Sequence, residues 1–289
     1  MNIKNIKKKL NLIIPIFIAA VGVVLIIIGL IGGAIKDYKK SLQLQDFEAA
    51  LSAKNIYNLD VNVAIADVNL ISSNDVDEFQ IIANGVTKKF IDYSTSNNTL
   101  RLKYDTKSWH QTLFLPGYLK NKGTIDIYIP ADVSLKDVKV KAKYGNLSVN
   151  YVSAEKIFIE CGKKENSINN IKCNYTEINN KKGKVFGEGI NAENADLNLS
   201  GKKAVFSNFS SSSLIALNDG DLSLSGKITG DSSIKSDGGN VNVSLYGDKS
   251  KYNFEVVKGH VKVDGESPES NKDAEYNLKL MGNIKIKFN

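Results

Sequence analysis

The sequence predicts an all-β protein, a β-solenoid of stacked strand repeats, preceded by one transmembrane helix. Three observations lead to this prediction. A short pattern recurs between residues 220 and 288: a glycine, a turn-forming residue, then an apolar–polar–apolar triplet. Apolar and polar residues alternate along much of the chain after residue 59, as they do in strands with one buried face. Residues 12–35 form a stretch of 24 residues without a charge.

The repeat is clearest in the last quarter of the chain. Its copies are residues 220–224, 239–243, 259–263 and 282–286, and their turn residues lie 19, 20 and 23 positions apart. A fixed period of this size indicates stacked repeats, because one such strand cannot cover its own apolar face. Asn146, Asn170 and Asp196 extend the series towards the N-terminus with gaps of 24, 26 and 25. Two strands per copy favour a solenoid rung or a stacked β-prism, and a meander closing into a sandwich is the alternative.

The uncharged stretch is long enough to cross a bilayer as a helix. It is also longer than the apolar region of a cleaved signal peptide, so residues 12–35 are expected to be an uncleaved anchor. Residues 1–11 are then the cytoplasmic N-terminus, and residues 36–56 are a juxtamembrane stalk, a short helix or a plain linker. Four lysines precede the span and three follow it. This difference of one charge favours an extracytoplasmic C-terminal domain over residues 57–289.

Five segments before the repeats have the alternation of strands: residues 59–71, 79–82, 90–93, 100–104 and 124–130. Residues 107–123 interrupt the pattern and contain the only tryptophan, Trp109. This segment is expected to fold back over an open end of the stack, or to form a contact surface.

The charge of the chain is unevenly distributed. The net charge is +7, but residues 1–40 hold seven lysines and one acid. The remaining chain has 31 basic and 30 acidic residues and a single arginine, Arg101. A nearly neutral domain of this kind argues against nucleic acid as a partner.

Candidate catalytic groups are few. His260 occupies a turn position where other copies carry Asn or Asp, and His110 has no local partner. Asp219, Asp221 and Asp237 are acids in turns without a nearby arginine, and residues 210–213, four serines, are expected to form a loop. The sequence therefore predicts no catalytic, cofactor-binding or metal-binding residue, no cofactor and no enzymatic activity.

Cys161 and Cys173 each fall on the apolar side of a strand pattern. They are predicted to be small buried side chains, with a disulfide between neighbouring rungs as the alternative. Their spacing, without a nearby histidine, is a poor zinc signature.

Three segments carry a resemblance to a known family. Residues 125–130 (Ile-Asp-Ile-Tyr-Ile-Pro), 135–140 (Leu-Lys-Asp-Val-Lys-Val) and 145–149 (Gly-Asn-Leu-Ser-Val) resemble the bacterial "putative adhesin" family of β-strand-repeat cell-envelope proteins. The resemblance covers roughly residues 55–289. It implies a β-solenoid-like domain outside the membrane, it supplies no catalytic residues, and some relatives accompany envelope-stress systems.

The expected function is that of a single-pass, membrane-anchored, non-enzymatic protein of the cell envelope. Its extracytoplasmic domain would serve adhesion or protein interaction, with the membrane, a cell-wall polymer or an envelope protein as partners. An accessory component of an envelope-stress sensing system is one alternative. A β-helical polysaccharide-active enzyme is a second.

Overall fold

The structure is a computed structural model that describes residues 15, 18–28, 44–105 and 123–289. The chain divides into two compact units, Met1–Leu44 and Gln45–Asn289. In the first unit, residues 18–28 are helical, and nearly all of their side chains are exposed. No helix within the described residues is long and apolar enough to cross a membrane. Most of the predicted span 12–35 lies outside the described residues, so the span stays a prediction.

The second unit confirms the all-β class. Its strands, as far as the structure describes them, are β1 (Gln45–Leu51), β2 (Asn58–Val63), β3 (Asp67–Ser73), β4 (Phe79–Val86), β5 (Ile91–Ser96), β6 (Thr99–Tyr104), β7 (Thr124–Pro130), β8 (Leu135–Ala142), β9 (Leu147–Asn150), β10 (Ser153–Glu160), β11 (Glu165–Asn169), β12 (Lys172–Asn180), β13 (Lys184–Glu188), β14 (Asn191–Leu199), β15 (Lys203–Asn218), β16 (Asp221–Ile228), β17 (Ser232–Ser236), β18 (Val241–Leu245), β19 (Tyr252–Val263) and β20 (Tyr276–Phe288).

The strands form two parallel ladders. Sheet A has the spatial order β6–β2–β8–β10–β12–β14–β15–β17–β20–β19. Sheet B has the order β7–β3–β9–β11–β13–β15–β16–β18–β20–β19. The long strands β15, β19 and β20 contribute to both sheets. One strand segment from each sheet makes a rung, and rungs stack about 4.8 Å apart. Parallel pairing between rungs excludes the antiparallel meander.

The core consists of columns of inward side chains that run along the stack. In sheet A one column is Val61, Val140, Ile159, Ile178, Leu197, Ala216, Ile234 and Leu280. In sheet B it is Leu70, Val149, Ile168, Gly187, Phe206, Leu224, Val243 and Ile286. Every member is buried. Each rung therefore covers the apolar side of its neighbours.

Two corners complete each rung. At the first corner, where sheet A passes into sheet B, turn glycines stack on one another: Gly145, Gly162, Gly183, Gly201, Gly220 and Gly239. A Cβ on any of the last five would overlap the carbonyl oxygen of the glycine one rung before. These turns therefore need glycine because of close backbone approach.

Both ends of the stack depart from chain order. The β2/β3 rung lies between the β6/β7 rung and the β8/β9 rung, although it comes first in the chain. At the other end, β20 lies between the β17/β18 rung and β19. Antiparallel strands extend the first end, β4 and β1 beside β7, and β5 beside β6.

Several sequence expectations need correction. The predicted stalk, residues 36–56, contains strand β1, and the β unit begins at Gln45. Phe47 lies opposite Ala83 of β4, so strand pairing overrides the loose helical spacing of this segment. The predicted strand 59–71 is two strands separated by a corner at residues 64–66. The predicted loop 210–213 lies within β15, and Ser211 is buried there. Of the predicted loop 107–123, all but Gly123 lies outside the described residues.

The repeat also differs from the predicted series. Leu147, Asn166, Val185 and Ala204 are successive register partners, 19 residues apart. Asn170 instead lies at the second corner, and Asp196 lies in the middle of β14.

Candidate functional site

A groove runs along the second corner, where each rung passes from sheet B to the next strand of sheet A. It consists of two adjoining cavities of about 790 Å³ and 410 Å³. Both cavities are lined by Ala131, Val133, Leu135 and Ser153, so they form one concave surface.

The corner geometry comes from a column of residues with positive φ. Tyr151, Asn170, Gly189 and Asn208 have φ of 60°, 52°, 66° and 51° and follow one another at intervals of 19 residues. Backbone hydrogen bonds join the rungs here: Tyr151 N donates to Asn169 O at 3.0 Å, and Asn170 N donates to Glu188 O at 2.7 Å. The next residue of each rung is buried and anchors the corner: Val152, Ile171, Ile190 and Phe209.

The floor of the groove is made by small side chains. Ala154, Cys173, Ala192 and Ser211 are register partners in four successive rungs. The residue after each of them is skipped in the pairing between rungs, as in a β-bulge, and its side chain is exposed: Glu155, Asn174, Glu193 and Ser212. Small side chains and bulges together set the surface back over three rung intervals, roughly 15 Å.

The groove offers hydrogen-bonding groups. Its lining presents carboxylates, amides and hydroxyls, with Glu155, Asn174 and Ser212 along one edge and Lys172 and Asn191 beside the floor. Burial raises the pKa of the Cys173 thiol to about 12, so this sulfur stays protonated and is a poor nucleophile. In the described part of the chain, no three His, Cys, Asp or Glu side chains converge as metal ligands. This arrangement suits binding.

Two exposed tyrosines flank the groove. Tyr57 lines the larger cavity and is 41% exposed, and its ring centroid lies 5.9 Å from Lys136 Nζ. Tyr151 lines the smaller cavity and is 63% exposed. Exposed aromatic rings beside polar groups are typical of binding surfaces.

Tyr151 is the exception in the corner column. The three other members are Asn and Gly, which tolerate positive φ, whereas a bulky residue there costs about 1–2 kcal/mol. A strained, exposed aromatic residue in a cavity indicates a functional role.

The acids singled out in the sequence lie at the first corner, away from the groove lining. Asp221 Oδ1 accepts a hydrogen bond from Asn240 N at 3.0 Å, and Asp237 forms an ion pair with Lys235 at 2.7 Å. Asp219 lies in the same turn as Asp221. The structure therefore gives these acids local, structural partners.

The histidines are likewise separate from the groove. His260 lies in β19 opposite Asn283, directly after Gly259, whose φ is 106°. The structure confirms that His260 follows a glycine corner, but places it within a strand. His110 lies outside the described residues.

Both cysteines are buried and unpaired, as the first interpretation predicts. Cys173 is the register partner of Ala154, seven residues along the chain from Cys161. Seven strand residues span roughly 20 Å, far beyond the Cα separation of about 6 Å that a disulfide needs.

The comparisons with known proteins agree with this architecture. The model of the Toastrack DUF4097 family matches residues 56–285. A protein of Bacteroides fragilis NCTC 9343 described as a "putative adhesin" aligns with a TM-score of 0.50 and 17% identity, over 85% of this chain and 97% of that one. No curated protein shows a significant match.

Two further solved structures, both from Parabacteroides distasonis ATCC 8503, align less closely. One is described as a "putative adhesin", with a TM-score of 0.45 and 10% identity over 85% of this chain and 97% of that one. The other is described as a "putative lipid binding protein", with a TM-score of 0.31 and 12% identity over 86% and 97%. At such identities the likeness to solved structures concerns the fold alone.

The family match extends from the residues just before β2 into β20, and so covers the rungs of both sheets and the groove. The chain therefore belongs to the Toastrack DUF4097 family.

Proposed function

We propose that this chain is a membrane-anchored, non-enzymatic binding protein of the bacterial cell envelope. Residues 12–35 cross the membrane once, residues 1–11 stay in the cytoplasm, and the β unit extends outside the membrane for adhesion or protein interaction.

The groove carries this proposal. Its cavity of about 790 Å³ runs across several rungs, so it suits an extended ligand that crosses the strands. Two exposed tyrosine rings provide apolar contact surface, and the hydroxyls, amides and carboxylates between them provide hydrogen bonds. Polar side chains of this kind without a catalytic base and nucleophile pair favour binding over reaction.

The membrane anchor rests on the uncharged stretch and on the character of its described part. In residues 18–28 the side chains of Ile18, Val24, Leu25, Ile26 and Ile28 are each more than half exposed. An apolar helix with its side chains exposed all round is suited to lipid.

The groove is tested by substituting Tyr57→Ser and Tyr151→Ser in the full chain, displayed on a non-adhesive bacterial host. Attachment is measured on surfaces coated with envelope polysaccharide or envelope protein. Loss of two aromatic contacts should reduce attachment at least tenfold, because each is worth about 1 kcal/mol or more. Tyr246→Ser is the matched control, since Tyr246 is 42% exposed and is not part of the groove lining. Equal attachment by all three proteins would refute the groove as the binding site.

The topology is tested separately by treating intact cells with protease. The β unit should be degraded while the membrane is intact. A β unit that is cleaved only after the membrane is broken would contradict an extracytoplasmic location.

A further inference from the structure

The first corner, on the other side of each rung from the groove, carries a concentration of positive charge. Four consecutive turns, residues 143–146, 162–165, 181–184 and 200–203, contain eight lysines and one acid. Six of these lysines are exposed and lie in the turns themselves, and we call them the lysine ridge: Lys143, Lys163, Lys164, Lys181, Lys182 and Lys202.

Backbone hydrogen bonds hold the four turns in line. Lys163 N donates to Lys143 O at 3.2 Å, and Lys202 N donates to Gly183 O at 3.2 Å. The stacked glycines of this corner have no side chains to push the turns apart. The ridge therefore follows the stack axis over three rung intervals, roughly 15 Å.

The ridge has little internal neutralisation. Among the described residues, no acid lies within 4 Å of any ridge ammonium group, and Glu165 pairs with Lys184 at 2.9 Å instead. The ring of Tyr144 lies 4.3 Å from Lys163 Nζ and 5.2 Å from Lys143 Nζ, so two cations share one aromatic ring. Like charges at neighbouring rung positions repel one another and destabilise the fold.

Acids that could relieve this repulsion occur in the next turns of the same corner. Asp219 and Asp221 follow in the fifth turn and Asp237 in the sixth, so the two signs are separated along the corner. Residues 41–289 hold 31 basic and 30 acidic residues, so the ridge concentrates positive charge that is balanced only elsewhere in the domain. An anion from outside the chain would neutralise it.

We propose that the lysine ridge binds a linear polyanion, a polymer with closely spaced phosphate or carboxylate groups, laid along the stack axis. A narrow line of charge on a projecting corner matches a single flexible chain. Lysine ammonium groups act as point charges without the fixed geometry of arginine, so they suit many weak contacts to a mobile polymer. This site is separate from the groove, and it does not depend on the function proposed for it.

The test uses the full chain in a zwitterionic detergent and three fluorescent probes: long-chain inorganic polyphosphate, poly-L-glutamate and neutral dextran. Binding to one or both anionic polymers, and not to dextran, is expected. With about five neutralised charges, affinity should fall about 100-fold between 50 and 200 mM salt. The two anionic probes distinguish a phosphate polymer from a carboxylate polymer.

The variant replaces four ridge lysines with glutamine: Lys163→Gln, Lys164→Gln, Lys181→Gln and Lys182→Gln. Each lost contact should weaken binding about fivefold at 0.1 M salt, so the variant should bind more than about 100-fold more weakly. All four side chains are exposed turn residues, so the fold should be kept.

The control variant removes the same charge from the other end of the stack: Lys258→Gln, Lys262→Gln, Lys285→Gln and Lys287→Gln. These lysines are also exposed and form no ion pair among the described residues. The control should bind within about threefold of the unmodified chain, because its lysines lie outside the ridge. Equal losses in the two variants would overturn the proposal, as would polymer binding that the ridge variant retains. Binding to vesicles of anionic phosphatidylglycerol, but to neither polymer, would show that a membrane surface is the ligand and overturn it too.

Discussion

Replacing Gly187 with alanine tests whether the core columns are as tightly packed as the structure shows. Gly187 lies in the sheet B column between Ile168 and Phe206. A Cβ at this position would overlap Phe206 Cδ1, and it would lie 2.8 Å from Phe206 Cε1 and 2.9 Å from Ile190 Cδ1. Ordinary carbon–carbon contacts are about 3.5–4.0 Å. The ring of Phe206 therefore occupies the space that a side chain of residue 187 would take.

The expected cost follows from how little the ring can move. Phe206 is 1% exposed, and its ring centroid lies 6.2 Å from that of Phe209 in an edge-on contact. Overpacking of a core costs about 1–3 kcal/mol, and an overlap on the order of 1 Å belongs at the upper end. Gly187→Ala should therefore lower the free energy of unfolding by about 3 kcal/mol.

A second substitution makes the reasoning specific to the ring. Phe206→Leu alone should cost about 1–1.5 kcal/mol because it leaves a cavity. Combined with Gly187→Ala, the new methyl group fills part of that cavity, so the double variant should be more stable than the sum predicts by about 2–3 kcal/mol. Urea unfolding followed by far-UV circular dichroism measures all four proteins. Additivity within about 0.5 kcal/mol would refute the packing argument.

Two further predictions concern buried polar groups. Asn166 is 1% exposed, and its amide accepts from Gly162 N at 2.8 Å and donates to Gly162 O at 3.1 Å. Asn166→Ala should therefore cost about 3 kcal/mol in urea unfolding, whereas Asn169→Ala, whose amide bonds only to side chains, should cost less than about 1 kcal/mol. Burial raises the pKa of both the Cys161 and Cys173 thiols from 9.0 to about 12, so at pH 8 neither should react with a thiol-specific disulfide reagent before unfolding. The unfolded chain loses these protons at lower pH than the folded chain, so the stability contribution is full below pH 9 and declines as the pH rises towards 12.

Each of these has an outcome that would contradict it. Equal losses for the two asparagine variants would mean that the buried amide has no special role in the corner. Rapid thiol modification of the folded chain would mean that the cysteines are accessible. An unfolding midpoint that does not fall between pH 9 and pH 12 would mean that folding leaves the thiol pKa values unchanged.

Local patterns in the sequence predict the strands more accurately than the repeat. Alternation alone predicts the all-β class, and it gives β7 with its observed bounds, Thr124–Pro130. The regular 19-residue period is hidden because the pattern search requires apolar residues at column positions. Asn166 occupies such a position, and Gly187 follows in the next rung. The turn glycines of the first corner carry the period even where the apolar positions do not.

The groove and the ridge were both outside the reach of the initial reading. Residues 151, 170, 189 and 208 include two asparagines and a glycine at exact intervals, a signal that becomes visible only once the period is known. Net charge likewise describes a whole domain and averages away a charged corner. Stacking converts sequence intervals of 18 to 21 residues into neighbours about 4.8 Å apart, and this is why the lysines of four distant turns act together.

The order of the rungs at the first end determines how the domain would resist a mechanical load. A pull on the chain from its N-terminal side first peels β1 away from β4, and then reaches β2. This strand is held on both sides, by β6 and by β8, so it cannot unzip from a free edge. The load is instead shared by two ladders at once, and the domain holds against a steady drag that would strip a solenoid whose first rung stood at its end.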